Sequence, residues 1–320
     1  MTRVAIVMAI LIGSSAAARM PGLCASAGKK RDGPEVAVLS AFPAELAPLV
    51  AAAEIETTVE AEGRQYHVGR LEGVRVVLGV TGIGTVNAAD RASAVVRNFA
   101  PEAIVMSAVA GSRYRIGDVV IPAEWLEVRS GNVFPVNPAM LALARRAAPV
   151  LPGPLESCTR VPPTSPDGAT VCLPYEPAVV FATQGESADP FNGQAFPCIP
   201  GAGEVFGCEL PAAPTALVEA EAEDMETAAV ARVAAEQDVP FVAMRAVSDG
   251  AGDPLGDRGF PMQFFDYYRL AAGNAALVTR AFLAEVHRLP RKRSGRGICR
   301  LLAHHRWDRA AARLAGEHGA

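Results

Sequence analysis

Val239-Pro-Phe-Val-Ala-Met-Arg-Ala-Val-Ser-Asp249, followed by Gly250-Ala-Gly-Asp-Pro254, is the stretch that decides the fold. Its apolar run reads as a buried strand that carries a carboxyl group, Asp249, to its own C-terminal end. Open α/β sheets place their ligand sites at such ends. Just upstream, Glu223-Asp-Met-Glu226 opens a helical, alanine-rich stretch. A strand-end acid beside a helix-start acid suits the cutting of a bond whose leaving group must be protonated. The competing reading is that Asp249 only caps the next turn.

The same strand-turn-helix grammar recurs upstream. Glu35 to Ala41 reads as the first core strand, and Pro43-Ala-Glu45 opens a helix through Ala53. Proline near a helix start and an acid in the first turn both fit that position. Residues 56–80 alternate around Glu72-Gly73, a hairpin signal. Gly73 to Val80 then runs into Thr81-Gly-Ile-Gly-Thr85 and a helix from Val86 to Phe99. Ala103 to Val109 is another buried strand, expected to end at Ala110-Gly111, and Ile116 to Ile121 a further short one. These repeated units predict an α/β fold: a three-layer αβα single domain over residues 35–287, with a mixed, mainly parallel central sheet.

The middle departs from that grammar. Asn137 to Val150 reads as a helix, but residues 151–214 are rich in Pro, Gly, Ser and Cys. Only Ala178 to Thr183 stands out there as a core strand, and the rest reads as a disulfide-braced insertion. Phe264 to His287 is the last long amphipathic helix. Residues 288–320 carry nine Arg or Lys against Asp308 and Glu317, a basic tail read as solvated or disordered. A wall- or membrane-associating arm is the sharper alternative.

Bulk properties bound the function. Half of the 320 residues are hydrophobic, enough for a sizeable core. A net charge of −4 and 6% aromatics give no reason to expect nucleic acid as the main partner. Thr2-Arg3, the apolar run Val4 to Gly13, and Ala25-Ser-Ala27 have the pattern of a secretory signal cleaved after residue 27. The apolar run is short for a membrane span, so no span is expected in the mature form. Leu23-Cys24 is a weaker lipoprotein signal, and an uncleaved anchor is the other lesser reading of this segment. Export would place Cys158, Cys172, Cys198 and Cys208 in an oxidising compartment, where two disulfides are expected. Loop length favours Cys158–Cys172 with Cys198–Cys208 and leaves Cys299 over.

Five ordered segments then resemble one family: Ser40-Ala-Phe-Pro-Ala-Glu45-Leu, Thr81 to Ala89, Ala110-Gly111 with Ile116-Gly-Asp118, Glu223-Asp-Met-Glu226-Thr-Ala-Ala, and Arg245-Ala-Val-Ser-Asp249. The chain resembles the nucleoside phosphorylase/nucleosidase superfamily, most of all its methylthioadenosine/S-adenosylhomocysteine nucleosidase branch. The resemblance spans roughly residues 35–125 and 215–287. It implies Asp249 as the acid that protonates N7 of a purine, with Ser248 orienting it. It implies Glu226 on the ribose hydroxyls, Met225 beneath the sugar and Glu45 positioning the attacking water. Ile83 and Gly111 fall among the substrate-binding positions, and Phe264 near the base or the 5′ substituent. The resemblance carries no cofactor and no metal. It implies a nucleoside as the small-molecule partner and a homo-oligomer, by default a dimer.

The chemistry requires these residue types on its own account. Breaking an N-glycosidic bond builds positive charge on the sugar and negative charge on the base. Carboxylates stabilise the first, and an acid of raised pKa relieves the second. Burial near the two other carboxylates is expected to raise Asp249. Glu223 and Asp224 read as solvated, and Arg245 as a paired structural residue within its strand. Glu45 and the Thr81–Thr85 turn each have a plainer reading, as a first-turn charge and as strand-to-helix turn chemistry; that turn could also cradle a phosphate.

Phosphorylases of this superfamily hold phosphate with arginines that the matching stretches here, Phe42-Pro-Ala-Glu45 and Ile104 to Val109, lack. Water is therefore the favoured nucleophile, since an unpaired buried phosphate is costly. Arg113 and Arg115 could still reach an anion, which keeps a phosphorylase as the alternative. Val109 stands where the family has a small polar residue. Thr183-Gln-Gly-Glu186-Ser187, which should face the base, lacks a clear stacking aromatic, with Phe181 and Phe191 close by. A secreted nucleoside-binding or storage-like protein without turnover is the third reading.

Overall fold

The computed structural model describes residues 34–195, 218–257 and 259–289. The expected signal segment, nearly all of the basic tail, and Cys198 and Cys208 lie outside the described residues.

The core strands are β1 (Val36–Ser40), β4 (Val74–Val80), β5 (Ala103–Arg115) and β12 (Phe241–Ala251), mutually parallel in the order β4-β1-β5-β12. Helices cover both faces of this layer, which is why these strands read as apolar runs without alternation. Beyond β4, the strands β3 (Arg64–Leu71) and β2 (Glu54–Ala61) continue the sheet as antiparallel hairpins. The Glu72-Gly73 turn forms as expected, with φ of 49° and 79°, the doubly positive geometry that matches strand twist. On the other side of β12 lies β6 (Val119–Glu127), antiparallel to it, with β7 (Asn132–Pro135) paired to the outer part of β6. Then come β10 (Val179–Ser187) and the short β11 (Glu223–Asp224).

Helices α1 (Pro43–Ala52) and α3 (Pro138–Ala147) pack against the long α5 (Met262–His287), while α2 (Thr85–Phe99) packs against α4 (Thr227–Glu236). The result is the expected mixed-sheet α/β architecture. Within residues 151–195, β10 joins the main sheet. The strands β8 (Cys158–Val161) and β9 (Ala169–Cys172) form a separate two-stranded sheet, closed by a Cys158–Cys172 disulfide.

Two expectations about strand ends are corrected. β5 does not stop at Ala110-Gly111 but runs on to Arg115, because its outer part finds partners on two sides: Gly111 pairs with Glu223 of β11, and Arg115 with Ala251 of β12. β12 likewise continues past Asp249 to Ala251, with register shifts on both sides of Asp249. Bulges of this kind leave residues unpaired and re-aim side chains. Here the irregularity turns neighbours that would normally face opposite ways toward each other, and the Ser248 hydroxyl donates to the Asp249 carboxylate at 2.7 Å.

Candidate active site

Four C-terminal strand ends converge on one place. β1 leads into α1 and Glu45, β4 into the Thr81–Thr85 turn, β5 through Val109 to Gly111, and β12 into Ser248 and Asp249. The start of α4 adds Glu226. Glu45, Glu226 and Asp249 are respectively 1%, 4% and 4% exposed, so three acids share a buried region.

Glu45 serves two neighbours at once. One oxygen accepts the backbone N–H of Ala41 (2.6 Å) and of Phe42 (3.3 Å), closing the first turn of its own helix. The other accepts the N–H of Val109 in β5 (2.8 Å). The plain helix-charge reading is thus true but incomplete. Burial pushes its pKa up to about 8, against the pull of Arg245 and the Val109 N–H; Glu226 pushes the same way as burial. Glu226 accepts the N–H of Gly84 at 2.9 Å and lies 3.4 Å from Arg245. Burial lifts its pKa to about 7, Arg245 opposes, and Asp224 adds to the rise. The Gly84 N–H is therefore committed to Glu226, which takes one donor of the glycine turn away from any phosphate.

Arg245 is a paired structural residue, as its strand position implied. Its Nε lies 2.8 Å from Asp224 and 2.8 Å from the Thr227 hydroxyl, and another nitrogen donates to the Val109 carbonyl at 2.9 Å. Val109 is consequently held at both its N–H, by Glu45, and its C=O, by Arg245.

Asp224 is not solvated. It is buried and accepts from the Ser187 hydroxyl (2.5 Å), the Glu226 and Thr227 N–H groups (3.0 Å each), the Thr227 hydroxyl and Arg245. Burial of its guanidinium partner requires a matching buried anion. An Asp accepting from residues two and three ahead is the helix-cap pattern, a signal present in the sequence. Glu223 is half-buried, and its pKa is raised by burial and then by Glu186 and Asp249.

Asp249 contrasts with the other two acids. It accepts a hydrogen bond from Ser248, whose hydroxyl also reaches the Ala110 carbonyl at 3.4 Å. Burial raises its pKa, and the Ser248 hydroxyl opposes that rise. The cause is desolvation, not the nearness of Glu45 and Glu226 that the sequence suggested. The turn-cap alternative finds no support, since Asp249 sits within its strand. Gly111 passes so close beneath it that an added Cβ would stand 2.7 Å from the carboxylate.

Met225 is partly buried against the core, and Ile83 lies in the turn beside Gly84 at 4% exposure. Phe264 stacks on Tyr268 (5.7 Å) and meets Phe42, at the start of the Glu45 helix, edge-on at 6.0 Å. Phe181 carries the Arg145 guanidinium over its ring at 4.2 Å. The two arginines that might have reached an anion are engaged. Arg113 pairs with Glu221 at 3.0 Å, and Arg115 pairs with Asp118 at 3.3 Å while lying over the Tyr175 ring. Among the described residues, no cluster of three or more His, Cys, Asp or Glu could hold a metal ion, and no helix is long and apolar enough to cross a membrane.

A mixed sheet covered by helices, with acids gathered at its parallel strand ends, defines an α/β fold of the nucleoside phosphorylase/nucleosidase type. The family model described as the phosphorylase superfamily matches residues 35–174 and 203–284, and the chain belongs to that superfamily. An uncharacterized protein of Mycobacterium tuberculosis is 36% identical over 214 residues, spanning 62% of this chain and 85% of its own length. The 5′-methylthioadenosine/S-adenosylhomocysteine nucleosidase of Shewanella sediminis is 26% identical over 258 residues, covering 79% of this chain and 100% of the relative. Among solved structures, that nucleosidase from Neisseria meningitidis, in complex with methylthio-immucillin-A, matches with a TM-score of 0.55 at 25% identity. The match covers 78% of this chain and 98% of that one.

Proposed function

We propose that this N-glycosidase of the phosphorylase superfamily hydrolyses the N-glycosidic bond of a purine nucleoside of the methylthioadenosine/S-adenosylhomocysteine kind. Protonated Asp249 donates its proton to N7 of the base. The C1′–N9 bond breaks with its electron pair leaving on the base, and positive charge grows on the sugar. Glu226 accepts from the ribose hydroxyls and faces that charge, with Met225 beneath the ring. Water positioned by Glu45 adds to C1′ and passes its proton to the ionised form of Glu45, whose share grows as pH rises toward about 8. Free purine and the free sugar are the products.

The observation that carries this reading is the division of partners among three buried acids. Glu45 and Glu226 are tied to backbone N–H groups, and Glu226 to Arg245 as well, contacts that hold the two carboxyl groups in place and oppose the rise that burial gives their pKa. Asp249 has burial and one hydroxyl, an environment for a proton. Water is preferred to phosphate because Arg113, Arg115 and Arg245 each face a carboxylate.

Release of free base from a nucleoside panel, with and without inorganic phosphate, tests the proposal. Release that phosphate does not change supports it. Release that requires phosphate makes the protein a phosphorylase, and nucleoside binding without release makes it a binding protein. Export and self-association belong to the same proposal. N-terminal sequencing of the secreted protein should begin at Gly28, and light scattering should give a mass above the monomer's.

A further inference from the structure

Beside Asp249, against Gly111, lies the segment Val218 to Ala222, which runs into β11. It is stitched to β5 on one side and to β10 on the other. The Arg113 N–H donates to the Ala220 carbonyl (2.9 Å) and the Ser112 hydroxyl to the Glu221 carbonyl (2.6 Å). The Glu186 N–H donates to the Ala222 carbonyl (2.8 Å). The Glu221 side chain locks the join. One oxygen accepts the N–H groups of Thr183 and Gln184 at 2.9 Å each, and the other accepts from the Tyr114 hydroxyl and Arg113 at 3.0 Å each.

This stitching anchors the chain from Ala220 onward, two residues after Val218. A Cβ built on Gly111 would stand 2.7 Å from a Val218 methyl and 2.7 Å from the Asp249 carboxylate oxygen. The methyl and the acid therefore crowd the same point, on a glycine with no side chain to separate them. We propose that Val218, held by Glu221, is a specificity-determining residue that forms the apolar wall of the leaving-base subsite beside Asp249. The proposal rests on the nucleosidase reading, since it takes Asp249 as the group that meets the base. It also gives a chemical source for the dryness around Asp249: a methyl excludes water from the acid, and a flat purine can lie against it. Glu221 is a positioning residue, which acts by pinning the segment.

Calorimetric titration of the full chain with adenine, and separately with the free sugar product, tests this. Val218→Ala is expected to weaken adenine binding about tenfold, the scale for trimming an apolar pocket, and to leave sugar binding unchanged. Glu221→Gln should weaken adenine in the same direction and less. A variant that had lost its fold would lose both ligands together. Unchanged adenine affinity in Val218→Ala, or equal loss of adenine and sugar, overturns the assignment. Failure of the underlying reading looks different: the unsubstituted chain would then release no base from any nucleoside. If it also fails to bind adenine, both ideas fall.

Discussion

The two ends of the candidate site hold their acids differently. At the Glu45–Glu226 end every acid is cross-linked. Glu45 holds three backbone N–H groups, Glu226 holds a fourth, and Arg245 joins Glu226, Asp224, Thr227 and the Val109 carbonyl. At the Asp249 end a bulged strand presents one acid with one hydroxyl, against a bare glycine and a valine methyl. Burial favours a proton at both ends; fixed dipoles and a buried cation oppose it at the first, and the Ser248 hydroxyl opposes it at the second. In the proposed reaction the first end faces the positive charge that grows on the sugar, and the second supplies the proton that the base needs.

Substitutions can break that contrast at either end. The largest effect is expected from Asp249→Asn. Loss of a positioned acid typically removes about 10²- to 10⁴-fold in rate, so kcat for base release should fall by at least that range. The melting temperature should barely move, because the amide still offers Ser248 an acceptor. Arg245→Met should do the reverse, acting first on stability. It strands Asp224 and Glu226 as buried acids, and removing one partner of a buried pair costs about 3–5 kcal/mol. Urea denaturation should register that loss directly.

Protonation can be followed at the first end. The folded chain holds a proton on Glu45 up to about pH 8, whereas the unfolded chain releases it near 4.5. The folded state therefore binds more protons between those values, and stability falls as pH rises through that window. Glu226 adds the same sign up to about pH 7. A melting series from pH 5 to pH 8 should slope downward, by an amount on the order of a few kcal/mol. Glu45→Gln should flatten much of that slope. The smallest effect is expected from Arg113→Ala. An exposed pair is worth about 1 kcal/mol or less, so base release should stay near that of the unsubstituted chain and remain indifferent to phosphate.

Much of this contrast was legible in the sequence, for identifiable reasons. Apolar runs ending in Gly-rich turns specify parallel strands and the ends at which ligands sit, so β1, β4, β5, β12 and the placement of Glu45, Glu226 and Asp249 followed. Arg245 was read as paired because a guanidinium inside an apolar strand needs an anion. Its partner Asp224 was missed, because beside Glu223 and Glu226 it looked like one more solvated acid, although the cap spacing to Thr227 marked it. The continuation of β5 to Arg115 was hidden because its extra partners, in β11 and the end of β12, are distant in sequence. The role of Val109 escaped for a similar reason: its contribution is its backbone, which no side chain advertises. The segment at Val218 was read only as part of, or next to, a Pro- and Cys-rich stretch, since its position depends on long-range pairing with β5 and β10.

The central claim, that Asp249 is the leaving-group acid, is tested most directly by two substrates that differ in their need for one. Methylthioadenosine requires protonation of its base, whereas a p-nitrophenyl riboside expels a stable phenolate unaided. Asp249→Asn should lose at least about 10²-fold on the first and stay close to the unsubstituted chain on the second, while Glu226→Gln should fall on both. Equal losses by Asp249→Asn on the two substrates would contradict the account.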